Sequence, residues 1–140
     1  MSARNAMALI AFLDAKLLEP HDYDGNCCVR FVLGGVEAQF GRAPELGVSW
    51  RTEIGAKRAM VRLGGIEAAA DRLFERIDPA RAVFGDIAGV IDPLHGFHVM
   101  LVEGQTLCAP GDTGTVRLPR REMVRAWCAD PALKQSNGTA

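Results

Sequence analysis

Apolar residues recur at helical spacing through the first half of the chain and alternate through the second. From about Asn5 to Leu18, the residues Leu9, Phe12, Leu13 and Leu17 share one face, and the helix they predict stops before Pro20. A polar turn, His21-Asp22-Tyr23-Asp24-Gly25, leads to a second helical set of Cys28, Phe31, Val32, Val36 and Phe40. Asn26 is the expected N-cap of that helix, which ends near Gly41. Gly34-Gly35 inside it costs about 2 kcal/mol of helix propensity relative to alanine. A close approach by another backbone is the expected reason. A third helix is predicted from near Thr52 to Gly64-Gly65, where glycine takes the left-handed cap. A fourth follows at once, with Ile66, Ala70, Leu73, Phe74 and Ile77 on one face, and stops at Asp78-Pro79.

The period then changes. Val83 to Ile91 reads as a strand interrupted at Gly85-Asp86 and Gly89, and Asp92 to Gly96 as a turn. Phe97 to Val102 reads as a strand with Phe97, Val99 and Leu101 on one face and His98, Met100 and Val102 on the other. Leu107-Cys108-Ala109 and Thr115 to Leu118 are two further short strands, and Pro119 to Cys128 reads as a closing helix with Met123, Val124 and Trp127 inward. Helices followed by a meander of short strands make an α+β protein. The short turns require antiparallel pairing. The expected architecture is N-terminal helices packed on a small, curled antiparallel sheet. It forms one domain over residues 1–129, followed by a disordered tail over 130–140.

Composition narrows the function classes. Of 140 residues, 49% are hydrophobic and 24% charged, and the net charge is −1. These values fit an ordinary globular domain. The expectation is no nucleic-acid partner and no membrane partner. Met1 to Ala15 faintly imitates a signal peptide, but Asp14 and Lys16 interrupt it and an amphipathic helix accounts for it better. The four cysteines, Cys27, Cys28, Cys108 and Cys128, lack the Cys-x-x-Cys spacing of metal sites, so no metal and no cofactor are expected.

The candidate chemistry centres on Cys28. A thiol in the first turn of a helix meets unpaired backbone N–H groups and the positive end of the helix dipole, both of which favour the thiolate. A nucleophilic cysteine also needs a base, normally histidine. Of His21, His95 and His98, only His98 is held on a strand, and it is the expected partner, with a ring nitrogen within about 4 Å of the sulfur. His21 and His95 lie in turns and are expected to be dispensable.

Asn26-Cys27-Cys28-Val29-Arg30-Phe31, followed by Val36-Glu37-Ala38 and Gly41, resembles the nucleophile segment of NlpC-like cysteine peptidases, which are papain-fold cell-wall hydrolases. Leu63-Gly64-Gly65-Ile66, Gly85-Asp86-Ile87-Ala88, Ala109-Pro110-Gly111 and Ala126-Trp127 extend the likeness, in order, to a phage- and prophage-associated branch of that fold. The resemblance covers about Leu9 to Trp127. It implies that Cys28 is the nucleophile, that Cys27 stands where an aspartate is usual, and that His98 stands at the catalytic histidine. Tyr23-Asp24 replaces the family's Trp-Gly, so Tyr23 and Cys27 lie near the implied site. The third, histidine-orienting position falls at Cys108, with Gln105 or Thr106 as substitutes.

Two readings follow. The first is a cysteine peptidase or amidase that cleaves peptidoglycan stem peptides through a Cys28–His98 dyad. The second is a weakly active or inactive papain-fold structural component of a phage tail tip, with tail proteins as partners. The expected location is a virion tail, or the bacterial cytoplasm before assembly.

Overall fold

The computed structural model describes residues 3–137. Four helices precede the sheet: α1 (Ala6–Lys16), α2 (Cys28–Phe40), α3 (Glu53–Leu63) and α4 (Ile66–Leu73). Their ends follow local chemistry. The Asn5 side chain caps α1 by accepting from Ala8 N–H, and Thr52 caps α3 by accepting from Gly55 N–H. Gly41 and Gly64 close α2 and α3 in the left-handed conformation.

Gly34 and Gly35 are explained by side chains rather than by a neighbouring backbone. A Cβ on Gly34 would lie 2.7 Å from the Phe12 ring, and one on Gly35 would lie 2.5 Å from a Leu101 methyl. The glycines therefore let α1 and the sheet close onto two sides of α2 about 100° apart. Their cost of about 2 kcal/mol is outweighed by burial of Phe31, Val32 and Val36. Each of those side chains contributes roughly 1.5–3 kcal/mol.

Six strands follow: β1 (Glu75–Ile77), β2 (Ile87–Asp92), β3 (Gly96–Val102), β4 (Thr106–Gly111), β5 (Gly114–Pro119) and β6 (Arg125–Cys128). They form one antiparallel sheet in the order β1-β6-β2-β3-β4-β5. The α+β class and the antiparallel pairing are as the sequence predicts. Three segments differ. The fourth helix ends at Leu73, because Phe74 turns extended (φ −135°, ψ 154°), and Ile77 belongs to β1. The expected closing helix over 119–128 is instead a 3-10 turn, Arg120–Glu122, followed by β6, which inserts between β1 and β2. Within the expected irregular tail, Pro131–Asn137 forms a fifth helix, α5; residues 138–140 lie outside the described residues.

The sheet has an apolar layer on each face. On the first, Ile87, Val99, Leu101, Cys108 and Trp127 pack with Leu9, Phe31, Val36 and Phe74 from the helical half. On the second, Val90, Met100, Val102, Leu107 and Ala126 pack with Ala82 and Met123. Arg120 fastens the cover of this second face through bonds to the Gly104, Pro79 and Ala82 carbonyls, at 3.1, 3.0 and 2.6 Å.

Candidate functional site

The N-terminus of α2 is built by the loop before it. Asp22 and Asn26 exchange backbone hydrogen bonds, and Asn26 Nδ2 donates to the Glu19 and Pro20 carbonyls. Asn26 is thus committed to the loop, and the N-cap is Cys27, whose side chain makes no capping bond. This corrects the expected cap by one residue. Cys28 is the first helical residue.

The Cys28 sulfur is cradled by its own N–H and by those of Val29 and Val99, all of which favour the thiolate. Pairing of β3 with β4 stops at Leu101↔Cys108, two residues before Val99. The N–H groups are nevertheless overruled. Burial is the largest influence and pushes the Cys28 thiol up to about 11, with Cys27 beside it adding to the rise.

His98 is the residue before Val99, whose N–H meets this thiol. The β2–β3 ladder runs without a bulge from Ile87↔Leu101 to Asp92↔Gly96. Residues therefore alternate strictly: Phe97, Val99 and Leu101 face the helices, and Met100 and Val102 face the second apolar layer. His98 shares the latter face and pairs with Val90, opposite the residues of β3 that pack under α2. Burial lowers the His98 pKa; Asp92 works against this and His95 with it. The ladder starts the His98 side chain from the face of β3 opposite Val99, and His98 is not among the groups that shift the Cys28 thiol.

The three candidates for a third residue are equally remote from His98. Cys108 pairs with Leu101, about 10 Å along β3 from His98. It is fully buried, and burial together with the Glu103 carboxylate pushes its thiol up to about 12. Thr106 Oγ1 donates to Glu103 Oε1 at 3.2 Å, and Arg117 Nε donates to the same oxygen at 2.8 Å. Gln105 is exposed in the β3–β4 turn. Cys108, Thr106 and Arg117 thus serve Glu103, a residue that the sequence reading did not single out.

Tyr23 and Cys27 lie beside Cys28 in sequence but belong to a separate cluster with Trp50, Ala56 and Ala59. The Arg30 guanidinium stacks 4.7 Å from the Trp50 ring and donates to the Trp50 carbonyl at 2.8 Å. A lone tryptophan in a connector signals such an anchor, since an aromatic of that size is rarely left in solvent. His21 makes an edge contact with Tyr23, its ring centroid 4.6 Å away, and its N–H donates to the Gly111 carbonyl. His95 is exposed in the β2–β3 turn, where its N–H bonds Asp92.

A cavity of about 30 Å³, lined by apolar side chains that include Val29, Ile87 and Val99, lies under the same helix. It has room for about one water and none of the polar partners a water needs. Among the described residues, no cluster of three His, Cys, Asp or Glu side chains is placed to hold a metal, and no helix is long and apolar enough to cross a membrane.

The geometry can be set against known proteins. No curated protein matches the chain. Among solved structures, the NlpC/p60 domain of the peptidoglycan hydrolase SagA is similar in fold, with a TM-score of 0.56 and 16% sequence identity over 88% of this chain and 97% of that one. The architecture is therefore that of an NlpC/p60 domain, a papain-like fold. The sequence profile of one family, described as a domain of unknown function (DUF6950), matches residues 3–129, and the chain belongs to that family.

Proposed function

We propose that this chain is an NlpC/p60-fold domain that binds or assembles without hydrolysing. The observation that carries the reading is the Cys28 environment. The sulfur sits at the helix start beside three N–H groups, yet its pKa is raised, and the His98 side chain leaves β3 from the face opposite Val99. A cysteine peptidase needs a thiolate at working pH and an imidazolium to protonate the leaving amine. On this reading neither proton transfer has a partner. The peptidoglycan stem peptide, by way of the SagA likeness, is the first ligand to try. Assembly with phage tail proteins is the second setting, and co-purification of the chain with a tail complex would test it.

The test of the central reading is direct. Purified protein incubated with peptidoglycan and with soluble stem peptides should release no new amine, and Cys28→Ala should not differ from the parent. Turnover that disappears in Cys28→Ala would overturn the proposal and restore the peptidase reading.

A further inference from the structure

The connector before α3 and the outer side of α3 enclose a groove of about 620 Å³. Val48 and Ser49 line one side, and Lys57, Arg58, Val61 and Arg62 line the other. The protein carries a net charge of −1, yet residues 51–62 hold four cations and one carboxylate, Glu53. Glu53 pairs with Lys57 at 3.2 Å in an exposed contact. Among the described residues, no ion pair engages Arg58 or Arg62. Apolar side chains sit among these cations without cover: Val61 is 81% exposed, and Ile54, one turn before Arg58, is 64% exposed.

We propose that this groove binds an acidic peptide segment that also carries apolar side chains. Its carboxylates would pair with Arg58 and Arg62, and its apolar side chains would cover Val48 and Val61. Three features of the groove select this occupant. Guanidinium groups pair with carboxylates in a planar, two-point geometry. The apolar positions between the cations have no use for a uniformly charged polymer. No aromatic side chain lines the groove to stack a nucleic-acid base. The scale also fits: the 11 residues of α3 run about 16 Å, the reach of roughly five extended peptide residues. The proposal does not depend on whether Cys28 reacts.

The test uses the full chain and a fluorescein-labelled Glu-Leu-Glu-Leu-Glu-Leu hexapeptide, read by anisotropy at low and moderate salt. The expected result is saturable binding that weakens with salt. It should fall at least about tenfold in the Arg58→Glu/Arg62→Glu double variant, because like charges then face the peptide. It should fall several-fold in Val61→Ser. Both arginines are exposed. Should charge reversal impair folding by circular dichroism, Arg58→Gln/Arg62→Gln replaces it and should still weaken binding. Unchanged affinity in the arginine variants would overturn the proposal. So would equal binding of a Lys-Leu hexapeptide, or displacement of the peptide by a short oligothymidylate or by anionic phospholipid vesicles at equal charge concentration.

Discussion

Asp86 is buried and Cys28 is half-buried, and the surroundings of their polar atoms differ. Asp86 Oδ1 accepts from Arg4 at 2.8 Å and from the Ala129 N–H at 3.0 Å, and Oδ2 accepts from the Val83 N–H at 2.9 Å. Beside it, Gln39 Nε2 donates to the Gly35 and Gly85 carbonyls. The carboxylate thus ties the start of the chain, the entry to β2 and the residue after β6 into one junction. Cys28 has N–H groups around it, but no cation and no base. The buried polar groups of this junction join distant segments, whereas the half-buried thiol packs against the edge of the apolar core.

This contrast can be broken first by stability. Asp86→Ala removes the acceptor of the buried Ala129 N–H and of the Val83 N–H and leaves Arg4 only the Phe84 carbonyl, and it should cost about 3 kcal/mol. Cys28→Ala should cost about 1 kcal/mol. Denaturant unfolding of the two variants checks the ranking, and equal losses would erase the distinction. A smaller effect is expected at the α2–sheet contact. Gly35→Ala pushes a methyl into Leu101 and should cost about 1–3 kcal/mol. In a double-mutant cycle with Leu101→Ala, the two losses should fail to add.

The pH dependence sharpens the comparison further. Cys28 and Cys108 are pushed up to about 11 and about 12 in the fold, whereas an unfolded thiol titrates near about 8.5. Above that value the unfolded chain loses protons first. Their contribution is therefore intact below about pH 8.5 and drains away toward pH 12. Thermal unfolding from pH 8 to 11 should show this decline, and it should be shallower in Cys28→Ala. His98 gives the smallest effect, with the opposite slope. Its pKa is lowered by burial, so stability should slip as pH falls below about 6.5, where the unfolded chain takes up the proton first. His98→Gln should flatten that slope.

Much of the helical half is legible in the sequence, because caps and glycines are local signals. Thr52, Gly41 and Gly64 mark their ends correctly. The closing segment is misread because Met123, Val124 and Trp127 match helical spacing by chance, and a four-residue strand is too short to show its own alternation. At the site, the alternation of β3 correctly puts His98 opposite Phe97 and Val99. What the pattern does not say is which face α2 covers. Both faces of β3 are apolar, with Val99 and Leu101 on one and Met100 and Val102 on the other. Hydrophobicity alone therefore favours neither, and the choice is made by Gly35 fitting over Leu101. Glu103, the hub for Thr106, Cys108 and Arg117, has no signal in the sequence because its partners come from two neighbouring strands.

The rate of Cys28 alkylation across pH 5 to 11, followed by peptide mapping in the parent and in His98→Ala, tests the central claim most directly. The account predicts slow labelling near neutrality, a rise toward about pH 11, and superimposable profiles for the two proteins. A reactive plateau that begins below pH 7 and is lost in His98→Ala would contradict it.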